Sequence, residues 1–136
     1  MKKDTHCKNC KIIELPTIQD GKDGCLSVAE GLPFQIKRVY YIYNLNGNAI
    51  RGKHAHKKLE QLLFCISGSF IMELDDGVTK QIIGLDEPNV GIYLGPNLWH
   101  TMSHFSEDCI ILVLASDYYD ESDYIRNYSQ FKGARK

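Results

Sequence analysis

Two histidines, His54 and His56, stand one residue apart with Ala55 between them. In an extended chain, side chains two apart share a face, so both imidazoles point the same way. Imidazole has an ordinary pKa of about 6.5 and gives or takes protons near neutrality. It is also a common metal ligand. The pair therefore suits two chemistries: proton transfer on a small molecule, or capture of an ion such as iron, manganese or zinc. Glu60 and His100 would complete a metal set. Two solvated histidines on an outer face are the plain alternative.

Strands must carry this pair. Short runs rich in β-branched and aromatic residues recur at 11–16, 25–29, 36–43, 51–56, 61–66, 69–75, 80–85, 90–94, 101–105 and 109–115. Between them lie turn signals: Asp20-Gly21-Lys22-Asp23-Gly24, Asn46-Gly47, Ser67-Gly68 and Asp76-Gly77. Short strands with close turns predict an all-β sandwich or barrel. No amphipathic helix is expected before residue 117. Over 117–128, Glu121, Ile125 and Tyr128 fall at helical spacing. A short helix or irregular aromatic clasp is expected there, packing on the mouth or edge of the barrel. Residues 1–10 read as a polar, flexible tail.

The chain has 136 residues, which predicts a single domain over 1–136. Its net charge of −1 gives no pull towards nucleic acid or an anionic membrane. No secretory leader and no run of about 20 apolar residues is visible, so a soluble cytoplasmic protein is expected. Of the five cysteines, Cys65 and Cys109 sit in apolar runs and read as small buried hydrophobes. Cys7 and Cys10 form one Cys-x-x-Cys beside His6, without the second pair that a structural zinc site needs.

Longer motifs separate the two chemistries. Gly47 and Arg51-Gly52 precede the histidines, and Glu60 and Gly68 follow. Further on, Gly91, Pro96 and His100 stand in order. These approximate the paired motifs of cupins, with glycine spacings off by a residue and His104 where Asn often stands. Arg51-Gly52-Lys53-His54-Ala55-His56 and Ala115-Ser116-Asp117-Tyr118-Tyr119 are the most specific segments. Together with 33–43, Leu74-Asp75-Asp76-Gly77 and 95–100, they closely resemble the TDP-4-keto-6-deoxyglucose 3,4-ketoisomerase family of sugar-nucleotide cupins. The likeness spans 26–131.

The resemblance implies a cupin jelly roll (a double-stranded β-helix) and a homodimer, often with an exchanged N-terminal strand. It implies no metal and no cofactor. The substrate would be a TDP-linked 4-keto-6-deoxyhexose, isomerised through an enediol to its 3-keto form. By the same resemblance His56 is the base at C3, and His54 shuttles protons between the two oxygens. Arg38 and Tyr40 share a strand face; Arg38 suits the diphosphate, because a guanidinium binds phosphate oxygens bidentately, and Tyr40 suits the sugar. On strand parity Arg51 faces away from the histidines, unless a bulge at Gly52 turns it or it acts from the rim. Gln61 is expected to line the pocket or sit on the surface. Trp99 is expected as an apolar platform or as core. His100 would approach C4, which favours the galacto product, although Asp23 stands near where the family can carry a basic residue. Two other readings stay open: a metal-dependent cupin oxygenase or isomerase, and a non-catalytic cupin that binds a sugar or nucleotide.

Overall fold

The structure is a computed structural model, and it describes residues 5–134. Its strands are β1 (Cys10–Glu14), β2 (Thr17–Gln19), β3 (Cys25–Ser27), β4 (Arg38–Ile42), β5 (Arg51–His56) and β6 (Gln61–Ser67). They continue with β7 (Phe70–Asp75), β8 (Lys80–Leu85), β9 (Val90–Leu94), β10 (Trp99–Ser103), β11 (Ile110–Ala115) and β12 (Tyr124–Ile125). Two five-stranded antiparallel sheets result, in the orders β1-β9-β6-β11-β4 and β12-β5-β10-β7-β8. The all-β jelly-roll expectation holds. A separate small hairpin, β2-β3, turns over the predicted 20–24 cluster; β2 falls between the expected first strand and that turn, where no strand is expected.

The apolar runs take the middle of the first sheet. In β6 and β11, Leu63, Cys65, Ile111 and Val113 point at the second sheet, and Leu62, Phe64 and Leu114 point the other way. Both faces are covered, which explains why these strands read as continuous hydrophobic runs rather than alternating ones. From the second sheet Phe70, Met72, Leu74, Ile83, Leu85 and Met102 complete the same core. The edge strand β4 alternates: Tyr40 and Ile42 pack inward, while Val39 and Tyr41 are exposed. Asp75 and Asp76 shape the β7–β8 hairpin, accepting the Gly77 and the Val78 and Thr79 amides respectively. This is the turn chemistry that the Asp-Gly pair predicts.

Both ends of the chain depart from expectation. Residues 1–4 of the expected tail lie outside the described residues. The rest of it is tied down: Cys7 is buried, its thiol donates to Thr79 O at 3.2 Å, and the Lys8 amide donates to Asp76 Oδ2 at 2.8 Å. An apolar cysteine and a ready acceptor at the hairpin outweigh the polar composition of the segment. At the other end, Glu121–Asp123 is a 3-10 turn rather than a helix, because the Asp120 carboxylate accepts the Ser122 amide and caps it. Tyr124–Ile125 then adds to the free edge of β5, with Tyr124 opposite His56. The helix α1 comes later, at Tyr128–Ala134, anchored by fully buried Phe131 against Ala55, Ile125 and Trp99.

Candidate active site

A bulge decides which side chains β5 presents. His54 pairs with His100 of β10, but the next β10 residue, Thr101, pairs with Gly52, so Lys53 is an extra residue on β5. Gly52 and Lys53 both have positive φ, +85° and +57°. A Cβ at Gly52 would lie 2.8 Å from the His100 carbonyl oxygen, so glycine is required there. The extra residue reverses the parity upstream of it. Arg51 becomes the partner of inward-facing Met102 and lines the same cleft as His54. The bulge anticipated at Gly52 is present, and it turns Arg51 towards the histidines.

Three imidazoles converge. The His54 ring lies 4.9 Å from His56 and 4.7 Å from His100, centroid to centroid. His54 Nδ1 lies 3.0 Å from Gly52 O, and His100 Nδ1 lies 3.2 Å from Leu98 O. A carbonyl can only accept, so each Nδ1 carries the proton and each Nε2 keeps its lone pair. His56 has no hydrogen-bond partner at either nitrogen. Burial lowers the pKa of all three: His56 to about 3, His100 well below the ordinary value, and His54 less far. For His56 the neighbouring His54, Arg38 and Arg126 add to the same effect. All three are therefore neutral at pH 7 and available as bases.

Two clefts meet at these rings. One, of about 380 Å³, is lined by Arg38, Tyr40, Arg51, His54, Tyr124 and Arg126 among others. A smaller one, of about 190 Å³, reaches His56 past Arg38, Lys58, Asp123 and Tyr124. Arg38 and Tyr124 are common to both. The Tyr124 ring packs 4.9 Å from His54 and 4.5 Å from His56. The Arg126 guanidinium lies over that ring at 4.1 Å and is gripped by both carboxylate oxygens of Glu121. Arg38 reaches over Tyr40, and its Nε is buried without a partner. A guanidinium with a free donor in a cleft is ready to bind an anion.

The structure brings together His54, His56, His100, Arg38, Tyr40 and Arg51. Gln61 is buried behind them; its Nε2 donates to the Tyr40 hydroxyl at 2.8 Å, so it holds Tyr40 rather than lining either cleft. Trp99 does not join. It alternates with His100 along β10, so one faces the cluster and the other faces out, where Trp99 packs on Tyr128 and Phe131. The platform expectation for Trp99 is thus corrected: it seats α1. Glu60 is also absent from the cluster. Tyr93 donates its hydroxyl to Glu60 Oε1 at 2.6 Å. Among the described residues a metal ion would find the three imidazoles, whose ligand atoms lie within 4.8 Å of one another. Asp123, Tyr124 and Arg126 were missed as site residues. Their aromatic and charged segment was legible as a clasp, but its pairing with the edge of β5 was not.

A jelly roll with an imidazole cluster at one end, fed by a cationic cleft, defines a cupin built for a small anionic ligand. Residues 8–136 match the family described as "FdtA: WxcM-like, C-terminal". The chain belongs to the FdtA family. It is 53% identical over 124 residues to the TDP-4-oxo-6-deoxy-alpha-D-glucose-3,4-oxoisomerase of Aneurinibacillus thermoaerophilus, covering 90% of this chain and 89% of that protein. A mutant of the 3,4-ketoisomerase QdtA from Thermoanaerobacterium thermosaccharolyticum, solved with TDP-4-keto-6-deoxyglucose, superposes with a TM-score of 0.92 at 44% identity, over 96% of each chain. The WlaRB TDP-quinovose 3,4-ketoisomerase of Campylobacter jejuni superposes at 0.88 with 47% identity, over 93% of this chain and 98% of that one.

Proposed function

We propose that this site interconverts the keto and hydroxyl groups at C4 and C3 of a TDP-linked 4-keto-6-deoxyhexose. The chain is an isomerase, and its similarity to enzymes of that activity runs along almost its whole length. The observation that carries the mechanism is a pair of neutral imidazoles on one strand face, His56 buried and His54 half-buried, with His54 opening to a cleft with three arginines. His56 removes the C3 proton, which the adjacent C4 carbonyl acidifies. The electron pair forms an enediolate with its charge on O4. His54 relays the O3 proton to O4, and protonated His56 gives its proton up to C4, which yields the 3-keto sugar and restores the neutral ring. Arg51 and Arg126 stabilise the enediolate, and Arg38 holds the diphosphate. Tyr40, fixed by Gln61, bonds the sugar. His100 stands beside His54 and supports delivery of the proton that sets the galacto configuration at C4.

Proton NMR in deuterated solvent tests this. TDP-4-keto-6-deoxyglucose should lose its C3 proton there, and the 3-keto product formed in ordinary water should show a small H4–H5 coupling. A large coupling would assign the gluco product instead. The trio of imidazoles favours one second reading, a three-histidine metal centre with an open position. Metal found at stoichiometric amounts, and lost together with activity on chelation, would replace the proton-transfer reading.

The working unit is a homodimer. Val39, Tyr41, Tyr43 and Ile66 are exposed on the outer face of the first sheet, and Ile18 and Leu26 are exposed on the β2-β3 arm. Apolar surface of this extent favours association. Light scattering should give twice the chain mass. Among the described residues no helix is long and apolar enough to cross a membrane. A nucleotide-linked substrate supports a cytoplasmic location.

A further inference from the structure

Asp123 ends the 3-10 turn and reaches back to the strand that carries the two histidines. Its Oδ1 accepts the Lys58 amide at 2.9 Å, its Oδ2 accepts the Leu59 amide at 3.1 Å, and its backbone carbonyl accepts the Lys57 amide at 2.9 Å. These are the three residues that follow His56. The carboxylate is thus fixed by the very turn through which the chain leaves the base. Its Oδ2 lies 3.5 Å from His56 Nδ1, and both groups are shielded, with side-chain exposures of 16% and 3%. With His56 neutral, this contact is not yet a hydrogen bond.

We propose that Asp123 is the positioning residue of His56, accepting its Nδ1–H when the ring becomes an imidazolium and leaving Nε2 to face the substrate. This rests on the reading of His56 as the base. The proton leaves C3 for Nε2; the Nδ1 proton stays on nitrogen and is only shared with Oδ2. Catalytic hydrogen bonds that are long in a free enzyme tighten as charge develops. The charged or ionisable neighbours His54 on its own strand, Arg38 from β4 and Arg126 from beyond β12 all work against that charge. His100 of β10 stands within 6.0 Å as well. Lys58, Asp117, Asp120 and Tyr124 line the same cleft, but Asp123 is the carboxylate that meets the ring.

The test is Asp123→Asn, which keeps the shape and one amide-accepting oxygen but removes the charge. With TDP-4-keto-6-deoxyglucose, kcat should fall roughly 100-fold while KM stays within about 3-fold, as expected when a base is misplaced or left uncompensated. Removing the anion makes the imidazolium harder to form. The His56 pKa, followed by NMR of its ring protons, should therefore fall, and the acid limb of the kcat profile should move to lower pH. Asp123→Glu should recover part of kcat. Wild-type kcat in Asp123→Asn, or a lost kcat with an unmoved His56 titration and a matching loss of Tm, would overturn the proposal. If the wild-type enzyme leaves the TDP-keto sugar untouched, the isomerase reading fails; the His56 titration in the two proteins then decides the role of Asp123 alone.

Discussion

The space between the two sheets has an apolar half and a polar half, and the same strands build both. β4 places Ile42 in one and Tyr40 in the other; β6 gives Leu63 and Cys65 to the first and Gln61 to the second. β10 gives Met102 and then His100. All seven obey one alternation, so parity sets only whether a side chain faces inward. How far along the strand it sits sets its chemistry. The apolar half stabilises the fold, at about 25 cal/mol per Å² of apolar surface removed from water. The polar half costs stability, since His56 is buried with no partner and His100 with only one carbonyl.

Substitutions should therefore separate activity from stability. The largest effect is expected from His56→Asn, in the polar half. Exchange of the C3 proton with deuterated solvent should fall by about 10²- to 10⁴-fold, the usual worth of a general base. Its Tm should match the wild type or exceed it. Exchange at a near-native rate would move the base to another residue, with His54 next in line. In the apolar half, Met72→Ala should cost about 2–5 kcal/mol in urea unfolding, because Met72 is fully buried and its removal leaves a cavity. Turnover per folded molecule should be unchanged; a parallel loss of kcat would erase the division between the halves.

The smallest effect is on the pH dependence of folding. The His56 pKa falls from 6.5 in the unfolded chain to about 3 in the folded one. Between these values the unfolded state binds a proton that the folded state refuses. The contribution is complete above pH 6.5 and is lost as pH falls, by up to about 1.4 kcal/mol per pH unit. His100 acts in the same direction. Unfolding curves between pH 7 and pH 4 should show this slope, and His56→Asn should flatten it. An equal slope in the variant would mean that other groups carry the effect.

Much of this division was legible in the residues. The His-x-His spacing put both rings on one face, and Arg38 and Tyr40 followed by the same parity. What failed were the contacts between segments distant in sequence. Nothing local to Glu60 announces Tyr93, which removes its carboxylate from the cluster. Trp99 looked like a pocket residue because it adjoins His100, yet adjacency in a strand means opposite faces. The helical spacing over 121–128 lost to the Asp120 cap and to the open edge of β5, and that pairing brings Asp123 and Tyr124 to the histidines. The tail at 5–10 looked unstructured until the β7–β8 hairpin supplied its acceptors.

The extra residue in β5 makes the cleft tolerant of a kind of mutation that substitution scans do not sample. Losing the single codon for Lys53 would restore regular pairing between β5 and β10. Arg51 would then stand two residues before His54, on the same face and still opposite Met102. Straightening the strand at full length, by a side chain at Gly52 that the bulge cannot hold, would instead carry Arg51 to the opposite side of the sheet. A cation would leave the pocket while the proton-transfer pair stayed, so the charge of the pocket can be inherited separately from its acid–base chemistry.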